Sequence, residues 1–174
     1  MTLHRAIALL AVVSCAGGPA TPVTPDRTPP SVLGNIEASA DLDGAPVGTS
    51  TARATIVVVF ASWCEHCKAE LAVIDSLRAA HPRLRVLGVN YRAHEEYADR
   101  GSAAAVRTYV AANAPWLRVI PADEALFTAL GRPPKVPTIY VFDRAGALAA
   151  QYDRRRRKMP DAAELGALLA RLGA

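Results

Sequence analysis

The segment Ala54–Leu71, ATIVVVFASWCEHCKAEL, constrains the possible folds of this chain more than any other segment. Its first part, Ala54–Ala61, is a continuous apolar run rich in β-branched residues. Such a run predicts a strand covered on both faces, as in a parallel sheet. From about Cys64 to Ala80 the hydrophobic period becomes helical. A buried strand that passes directly into an amphipathic helix is typical of an α/β domain.

The elements around this segment extend the same pattern. Asp43-Gly44 is a turn signal that predicts a β-hairpin before the buried strand. Leu84–Asn90 predicts a second buried strand, and Tyr91–Gly101 predicts a polar connection. The later segments predict a helix capped by Ser102, a short strand, a short helix, a second hairpin and a terminal helix. This order predicts an α/β fold with a central mixed β-sheet flanked by helices.

The N-terminus predicts export. The apolar run Ala6–Val13 is too short to span a bilayer but suits the hydrophobic region of a signal peptide. VVSC at Val12–Cys15 resembles a bacterial lipobox, which implies cleavage before Cys15 and lipidation of its thiol. We therefore expect a signal peptide at residues 1–14, a Pro/Thr/Gly-rich tether at 15–31 and a folded domain at 32–174. The alternative is an ordinary secretory signal that is cut near Ala16–Ala20.

Composition and charge exclude several functional classes. Of the 174 residues, 51% are apolar, which is enough for a core, and three are cysteines, too few for a disulfide scaffold. The formal net charge is +4, and much of it comes from one basic run, Arg154–Lys158. A single run of this kind is more typical of a solvated loop, so we expect no nucleic-acid partner.

Two of the three cysteines, Cys64 and Cys67, follow the buried strand and open the helix. Unpaired N–H groups and the helix dipole stabilise an anion there, so a thiol at that position ionises more readily. Cys64, nearer the helix end, is expected to attack a disulfide, and Cys67 is expected to resolve the mixed disulfide. In this interpretation the disulfide itself is the redox group, with no metal and no further cofactor.

The residues alone leave two other interpretations of the Cys64/Cys67 pair open. A zinc site is disfavoured because the chain has no second CxxC, and His81 and His94 lie in a helix stop and a polar loop. A purely structural disulfide is disfavoured because so small a ring constrains little of the unfolded chain.

VVVFASWCEHCKAEL resembles the active-site segment of thioredoxin-fold thiol–disulfide oxidoreductases and is most similar to the exported TlpA/ResA/CcmG-like branch. Leu42–Gly48 is similar to the N-terminal hairpin of that branch. Val86–Tyr91, together with the connection and helix that follow, is similar to its insertion, an extra segment inside the thioredoxin core. Lys135–Gly146 is similar to its cis-proline loop. The resemblance covers roughly Ile36 to the C-terminus. It implies a thioredoxin-like fold with an N-terminal β-hairpin and a small insertion.

The resemblance also implies roles for individual residues. Trp63 would form part of an exposed apolar rim where partner proteins dock; a partly buried packing tryptophan is the alternative. Pro137 would be cis and would leave the backbone of Val136 free to pair with a substrate strand beside the thiols.

Glu70 lies three residues after Cys67, on the helix face that carries Ile74 toward the sheet. Burial there would raise the pKa of its carboxyl, which could then exchange protons with Cys67. The resemblance implies the same role, and Val58 stands where thioredoxins proper have a buried aspartate. The alternative is a boundary glutamate that contacts solvent or Lys68.

The two residues between the cysteines predict opposite effects on the redox direction. A protonated His66 would stabilise the Cys64 thiolate and make the disulfide more oxidising, as in DsbA-like proteins. Glu65 would act in the opposite sense. These opposing charges leave the direction of electron flow open.

We expect an exported enzyme, lipid-anchored in the periplasm or on the outer face of the cytoplasmic membrane. It would reduce disulfides of selected cysteine-containing proteins, such as apocytochromes or copper-site proteins, with electrons from an upstream dithiol donor. A DsbA-like oxidant is one alternative, although Tyr91–Trp116 is too short for the helical domain of that class. A carrier that binds Cu(I) through the two thiolates and His66 is another.

Overall fold

The computed structural model describes residues 31–154 and 158–174. The predicted signal peptide, the lipidation site Cys15 and nearly all of the predicted tether lie outside the described residues. So does the middle of the basic run Arg154–Lys158. Within the described residues, no helix is both long enough and apolar enough to cross a membrane.

One mixed sheet of five strands, in the order β3-β2-β1-β4-β5, forms the centre of the domain. β1 pairs in parallel with β2 and antiparallel with β4, so it lies in the middle of the sheet. The predicted mixed sheet is therefore confirmed. The strands are β1 Ala54–Phe60, β2 Leu84–Tyr91, β3 Arg118–Ala122, β4 Thr138–Asp143 and β5 Leu148–Tyr152.

Helices cover both faces of this sheet. Ile56, Val58 and Phe60 belong to a core shared with α2, α4 and α6. Val57 and Val59 belong to a core shared with α1 and α5. Every residue of β1 is buried, which confirms the prediction of a strand covered on both faces. The helices are α1 Val32–Glu37, α2 Glu65–Arg78, α3 Arg92–Glu95, α4 Ala103–Asn113, α5 Glu124–Ala129 and α6 Ala162–Leu172.

Local sequence signals explain where the longer helices begin and end. Ser102 caps α4 by accepting a hydrogen bond from the backbone N–H of Ala105. Asp161 caps α6 by accepting one from the N–H of Glu164 at 2.8 Å. Gly173 ends α6 in the left-handed conformation, which a residue without a Cβ adopts at little cost.

The predicted N-terminal β-hairpin is present as a turn that is closed by one antiparallel bridge, between Ala40 and Pro46, and its two arms are too short to form strands. The helix α1 precedes it at Val32–Glu37. The Asp41 carboxylate holds this turn by accepting hydrogen bonds from the N–H groups of Asp43 and Ala45, and it pairs with Arg118. The turn signal was therefore correct. Backbone hydrogen bonds from the N–H of Asp41 to the oxygen of Ala45 and from the N–H of Val47 to the oxygen of Ser39, each 2.9 Å, close the turn together with these side-chain contacts.

The segment predicted as a polar connection also has local structure. It contains α3 and a 3₁₀ turn at Tyr97–Asp99, in which Ala98 and Asp99 have positive φ. These elements follow the carboxyl end of β2 directly and form the insertion, residues 92–101. The insertion therefore lies at the edge of the sheet where β1 also ends, because β1 and β2 are parallel.

The core predicts a clear difference between two leucine truncations. Leu169 on α6 is fully buried, whereas Leu148 on β5 is 52% exposed. We expect Leu169→Ala to lower the free energy of unfolding by about 2–5 kcal/mol, because it leaves a cavity in the core. The matched control Leu148→Ala should change it by no more than about 0.5 kcal/mol. Denaturant unfolding followed by circular dichroism measures both, and equal losses would contradict this core.

Candidate active site

Cys64 and Cys67 form a disulfide at the N-terminus of α2, with their Cα atoms 5.2 Å apart. Cys64 is the N-cap residue of this helix, and its Sγ accepts a hydrogen bond from the backbone N–H of Cys67 at 3.1 Å. The same N–H also donates to the backbone oxygen of Cys64 at 2.9 Å, so the N-cap residue supplies two acceptors to this first-turn donor. The sulfur of Cys64 therefore lies where the helix stabilises negative charge.

The two sulfurs differ in access. Cys64 is 6% exposed and Cys67 is fully buried. A substrate disulfide can therefore reach Cys64 before Cys67, which agrees with the predicted order of attack and resolution.

The residues before β4 reach the same edge of the sheet as the cysteines. β4 is antiparallel to β1, with Thr138 opposite Val59, so the start of β4 lies beside the end of β1. Val136 and Pro137 precede β4, and the peptide bond between them is cis. Val136 packs against the core cluster that contains both cysteines. The structure thus brings the predicted proline loop and the cysteine pair together.

A cavity of about 350 Å³ lies at this edge, between the proline loop and the insertion. Trp63, which directly precedes Cys64 in the chain, forms part of its wall. Burial lowers the pKa of the His94 imidazole in this wall. The residues that line the cavity, here named the Trp63 groove, are Trp63, His94, Tyr97, Pro134, Lys135 and Val136.

Trp63 is held firmly in this wall. Its Nε1–H donates to the backbone oxygen of Glu95 at 2.8 Å and to that of His94 at 3.2 Å. The Arg100 guanidinium lies 5.2 Å from the centre of the indole ring, and the ring of Tyr97 lies 6.4 Å away. Trp63 is thus partly buried and also lines the groove, so the two interpretations of this residue do not exclude each other.

Glu70 lies half-buried on α2. It lines a second cavity, of about 520 Å³, together with His66, Arg154 and Met159. Burial raises the pKa of the Glu70 carboxyl, and the positive charge of Arg154 acts in the opposite sense. Within the described residues, no cluster of three or more His, Cys, Asp or Glu side chains is placed to hold a metal ion.

Glu65 and His66 both lie exposed in the first turn of α2. Water and salt screen exposed charges strongly. Both side chains therefore act on the Cys64 sulfur more weakly than the backbone N–H of Cys67, which contacts it directly.

Sequence reasoning missed one residue at the site, Glu95. This glutamate ends α3 and is 2% exposed, although its segment was predicted to be a polar connection. Its carboxylate accepts hydrogen bonds from the N–H of Ser62 and the side-chain amide of Asn90, each at 2.8 Å, and from the Ser62 hydroxyl. No periodicity could reveal these contacts, because Ser62 and Glu95 are 33 positions apart and belong to different elements.

Comparison with known proteins supports the fold. No protein-family model matches the sequence, and neither does any curated protein. Solved structures do match. One is a secreted disulfide oxidoreductase from Mycobacterium tuberculosis that is homologous to Escherichia coli DsbE. It is 19% identical, has a TM-score of 0.60, and the match covers 76% of this chain and 93% of that one.

Two further structures extend this similarity. A thiol:disulfide interchange protein of the thioredoxin family from Chlorobium tepidum has a TM-score of 0.62 at 19% identity, over 78% of this chain and 92% of that one. StoA from Bacillus subtilis has a TM-score of 0.57 at 19% identity, over 75% and 92% of the two chains. The chain therefore has the thioredoxin-like fold, and the predicted fold class is confirmed.

The raised pKa of Glu70 predicts how stability depends on pH. The folded state binds the proton of the Glu70 carboxyl more tightly than the unfolded state does. This proton therefore adds to the free energy of unfolding at low pH, and we call this addition the proton-linked stability. It is lost as pH rises from the ordinary glutamate pKa through the raised value. We therefore expect Glu70→Gln to become progressively more stable relative to the wild type as pH rises above about 4, the ordinary glutamate pKa.

Thermal unfolding of the oxidised protein across this pH range measures the difference. Glu65→Gln is the control, since its carboxylate lies exposed at the helix N-terminus, where negative charge is favourable. A pH-independent difference between Glu70→Gln and the wild type would contradict the burial of Glu70.

Proposed function

We propose that this chain is an exported thiol–disulfide oxidoreductase that reduces disulfides of selected partner proteins. The observation that carries this proposal is the Cys64–Cys67 disulfide at the start of α2, with the Cys64 sulfur on a helix N–H. A helix N-terminus lowers the cost of forming a thiolate, and the thiolate is the nucleophile in disulfide exchange. The names of the matching structures describe proteins that carry out this class of reaction.

The proposed reaction has two exchange steps. In the reduced protein, the Cys64 thiolate attacks one sulfur of the partner disulfide, forms a mixed disulfide and releases the other sulfur as a thiolate. The thiol of Cys67 then loses its proton and attacks Cys64, which releases the second partner sulfur and restores the Cys64–Cys67 disulfide. Two electrons pass to the partner. Glu70, one turn after Cys67, is proposed to accept the proton of that thiol.

The Trp63 groove supports a protein as the substrate. It begins at the residue before Cys64 and is bounded by Val136 of the proline loop. A peptide segment that carries a disulfide could contact both walls while one sulfur meets Cys64. Exported cysteine-containing proteins, including apocytochromes and copper-site proteins, are the proposed partners, and an upstream dithiol would supply the electrons. The anchor in this proposal is a lipid on Cys15, with the domain in the periplasm or at the outer face of the membrane.

The charges near the pair favour reduction of the partner. A carboxylate near a cysteine disfavours its thiolate, so it destabilises the reduced protein and lowers its reduction potential. Glu70 is half-buried, so its charge is screened less than the charge of the exposed His66, which would act in the opposite sense.

Single cysteine replacements test the mechanism. We expect Cys64→Ser to abolish the reduction of protein disulfides, because the attacking thiolate is lost. Cys67→Ser should instead accumulate mixed disulfides that non-reducing electrophoresis detects, because the resolving thiol is lost. Cys15→Ser, which changes the third cysteine, should retain exchange activity in the isolated protein. Stoichiometric binding of Cu(I) without any disulfide reduction would contradict the proposal.

The reduction potential of the Cys64–Cys67 pair tests the proposed direction. We expect a value near that of thioredoxin, about −270 mV, as measured by equilibration with dithiothreitol buffers. A value near that of DsbA, about −120 mV, would instead assign the chain as an oxidant. The variant His66→Ala should shift the potential only slightly, because this side chain is exposed.

A further inference from the structure

The burial of the Glu95 carboxylate requires an explanation. The described residues give it no ion pair, and a buried charge is costly unless hydrogen bonds replace its water. Three donors meet this need: the N–H and hydroxyl of Ser62 and the side-chain amide of Asn90. Asn90 is itself fixed, because it also donates to the backbone oxygen of Phe60 at 3.1 Å. The carboxylate therefore joins the insertion to the end of β1.

The backbone of Glu95 adds a second connection. Its carbonyl oxygen accepts the hydrogen bond of the Trp63 indole at 2.8 Å. One residue of the insertion thus holds both Ser62 and Trp63, the two residues that precede Cys64. Gly101 packs directly against the carboxylate, and a Cβ at this position would overlap its Oε1 atom. No larger residue fits there without displacing Glu95.

Cys64 is anchored separately. Its backbone N–H donates to the oxygen of Ala61 at 3.1 Å, and its Sγ accepts from the N–H of Cys67. Neither bond involves the insertion. The hydrogen bond to the reactive sulfur therefore comes from α2, whereas Ser62 and the Trp63 side chain are held by residues of the insertion.

We propose that Glu95 is a positioning residue for partner docking. It fixes Ser62 and Trp63 against the insertion and so sets the shape of the Trp63 groove, while the reactivity of Cys64 is left to α2. The occupant of the groove is the peptide segment that flanks the partner cysteine, since Trp63, the chain neighbour of Cys64, and Val136 of the proline loop both line the groove. This inference rests on the proposed thiol–disulfide exchange.

Two probes with the same leaving group separate docking from chemistry. One is Ellman's reagent, and the other is a short peptide whose single cysteine is carried as a mixed disulfide with thionitrobenzoate. In both reactions the Cys64 thiolate of the reduced chain forms a new S–S bond and thionitrobenzoate leaves as a coloured thiolate. Cys67 then attacks Cys64 and displaces the group that is still bound there. This group is a second thionitrobenzoate for Ellman's reagent and the peptide thiolate for the peptide probe. Only the peptide probe has residues on both sides of its cysteine that can extend along the groove.

We expect Glu95→Ala to raise the KM for the peptide probe about tenfold or more, which is the effect of losing one or two buried hydrogen bonds. The rate with Ellman's reagent should stay within about twofold of the wild type, because the anchors of Cys64 remain. Glu95→Gln should restore the KM to within about threefold. Its amide oxygen can accept from Ser62 and Asn90 while its N–H donates to the Ser62 hydroxyl, which can rotate.

Two further variants control this experiment. Glu96→Ala removes the exposed neighbour, which pairs with Arg92, and should leave both probes unaffected. Gly101→Ala displaces the Glu95 carboxylate without removing it and should raise the peptide KM as Glu95→Ala does. It supplies the measurement if Glu95→Ala does not fold. An unchanged peptide KM, or equal slowing of both probes, would overturn the proposal.

The indole N–H resonance of Trp63 gives a readout that does not depend on activity. It can be assigned by comparison with Trp63→Phe, and we expect it to shift and exchange faster in Glu95→Ala but not in Glu95→Gln. If the wild type reacts with neither probe, the proposed function fails. An indole resonance that is the same in Glu95→Ala and the wild type would instead show that Glu95 does not position Trp63.

Discussion

The burial of β1 on both faces is the constraint on which the rest of the structure depends. A central strand must pair its backbone groups with a neighbour on each side, here β2 and β4, and must be covered by helices above and below. Its backbone leaves the core only after Phe60, where the chain turns into α2. The cysteine pair lies at that exit, so the position of the site follows from the packing of the strand that precedes it.

The site itself depends on backbone groups more than on charged side chains. The Cys64 sulfur meets an N–H of the first helical turn, which is held in place by the whole of α2. The charges of the exposed pair Glu65 and His66 are screened by water, whereas Glu70 is half-buried and burial raises the pKa of its carboxyl. The group that contacts the Cys64 sulfur is therefore a backbone N–H and not a charged side chain. In the proposals above, Glu70 accepts the proton of Cys67, and Glu95 sets the shape of the Trp63 groove.

Sequence patterns predicted most of the sheet and the cysteine pair. The apolar run of β1, the change to a helical period at Cys64 and the capping box at Asp161 are local signals, and the structure contains each of the elements that they predict. The hairpin around Asp43-Gly44 is reduced to one antiparallel bridge, because a turn signal does not specify how the turn is held. Here the Asp41 carboxylate and Arg118 close it, and Arg118 comes from a strand that is remote in sequence.

The sequence by itself determined that a buried strand delivers two cysteines to a helix N-terminus, because strand burial, helix period and thiol spacing are all written locally. Only the tertiary structure decided what surrounds those cysteines. Val136 and Pro137 reach them through the antiparallel pairing of β4, and Glu95 reaches Ser62 through the parallel pairing of β1 with β2. Such contacts join residues whose sequence neighbourhoods carry no common pattern, so they exist only once the sheet has brought its strand ends to one edge.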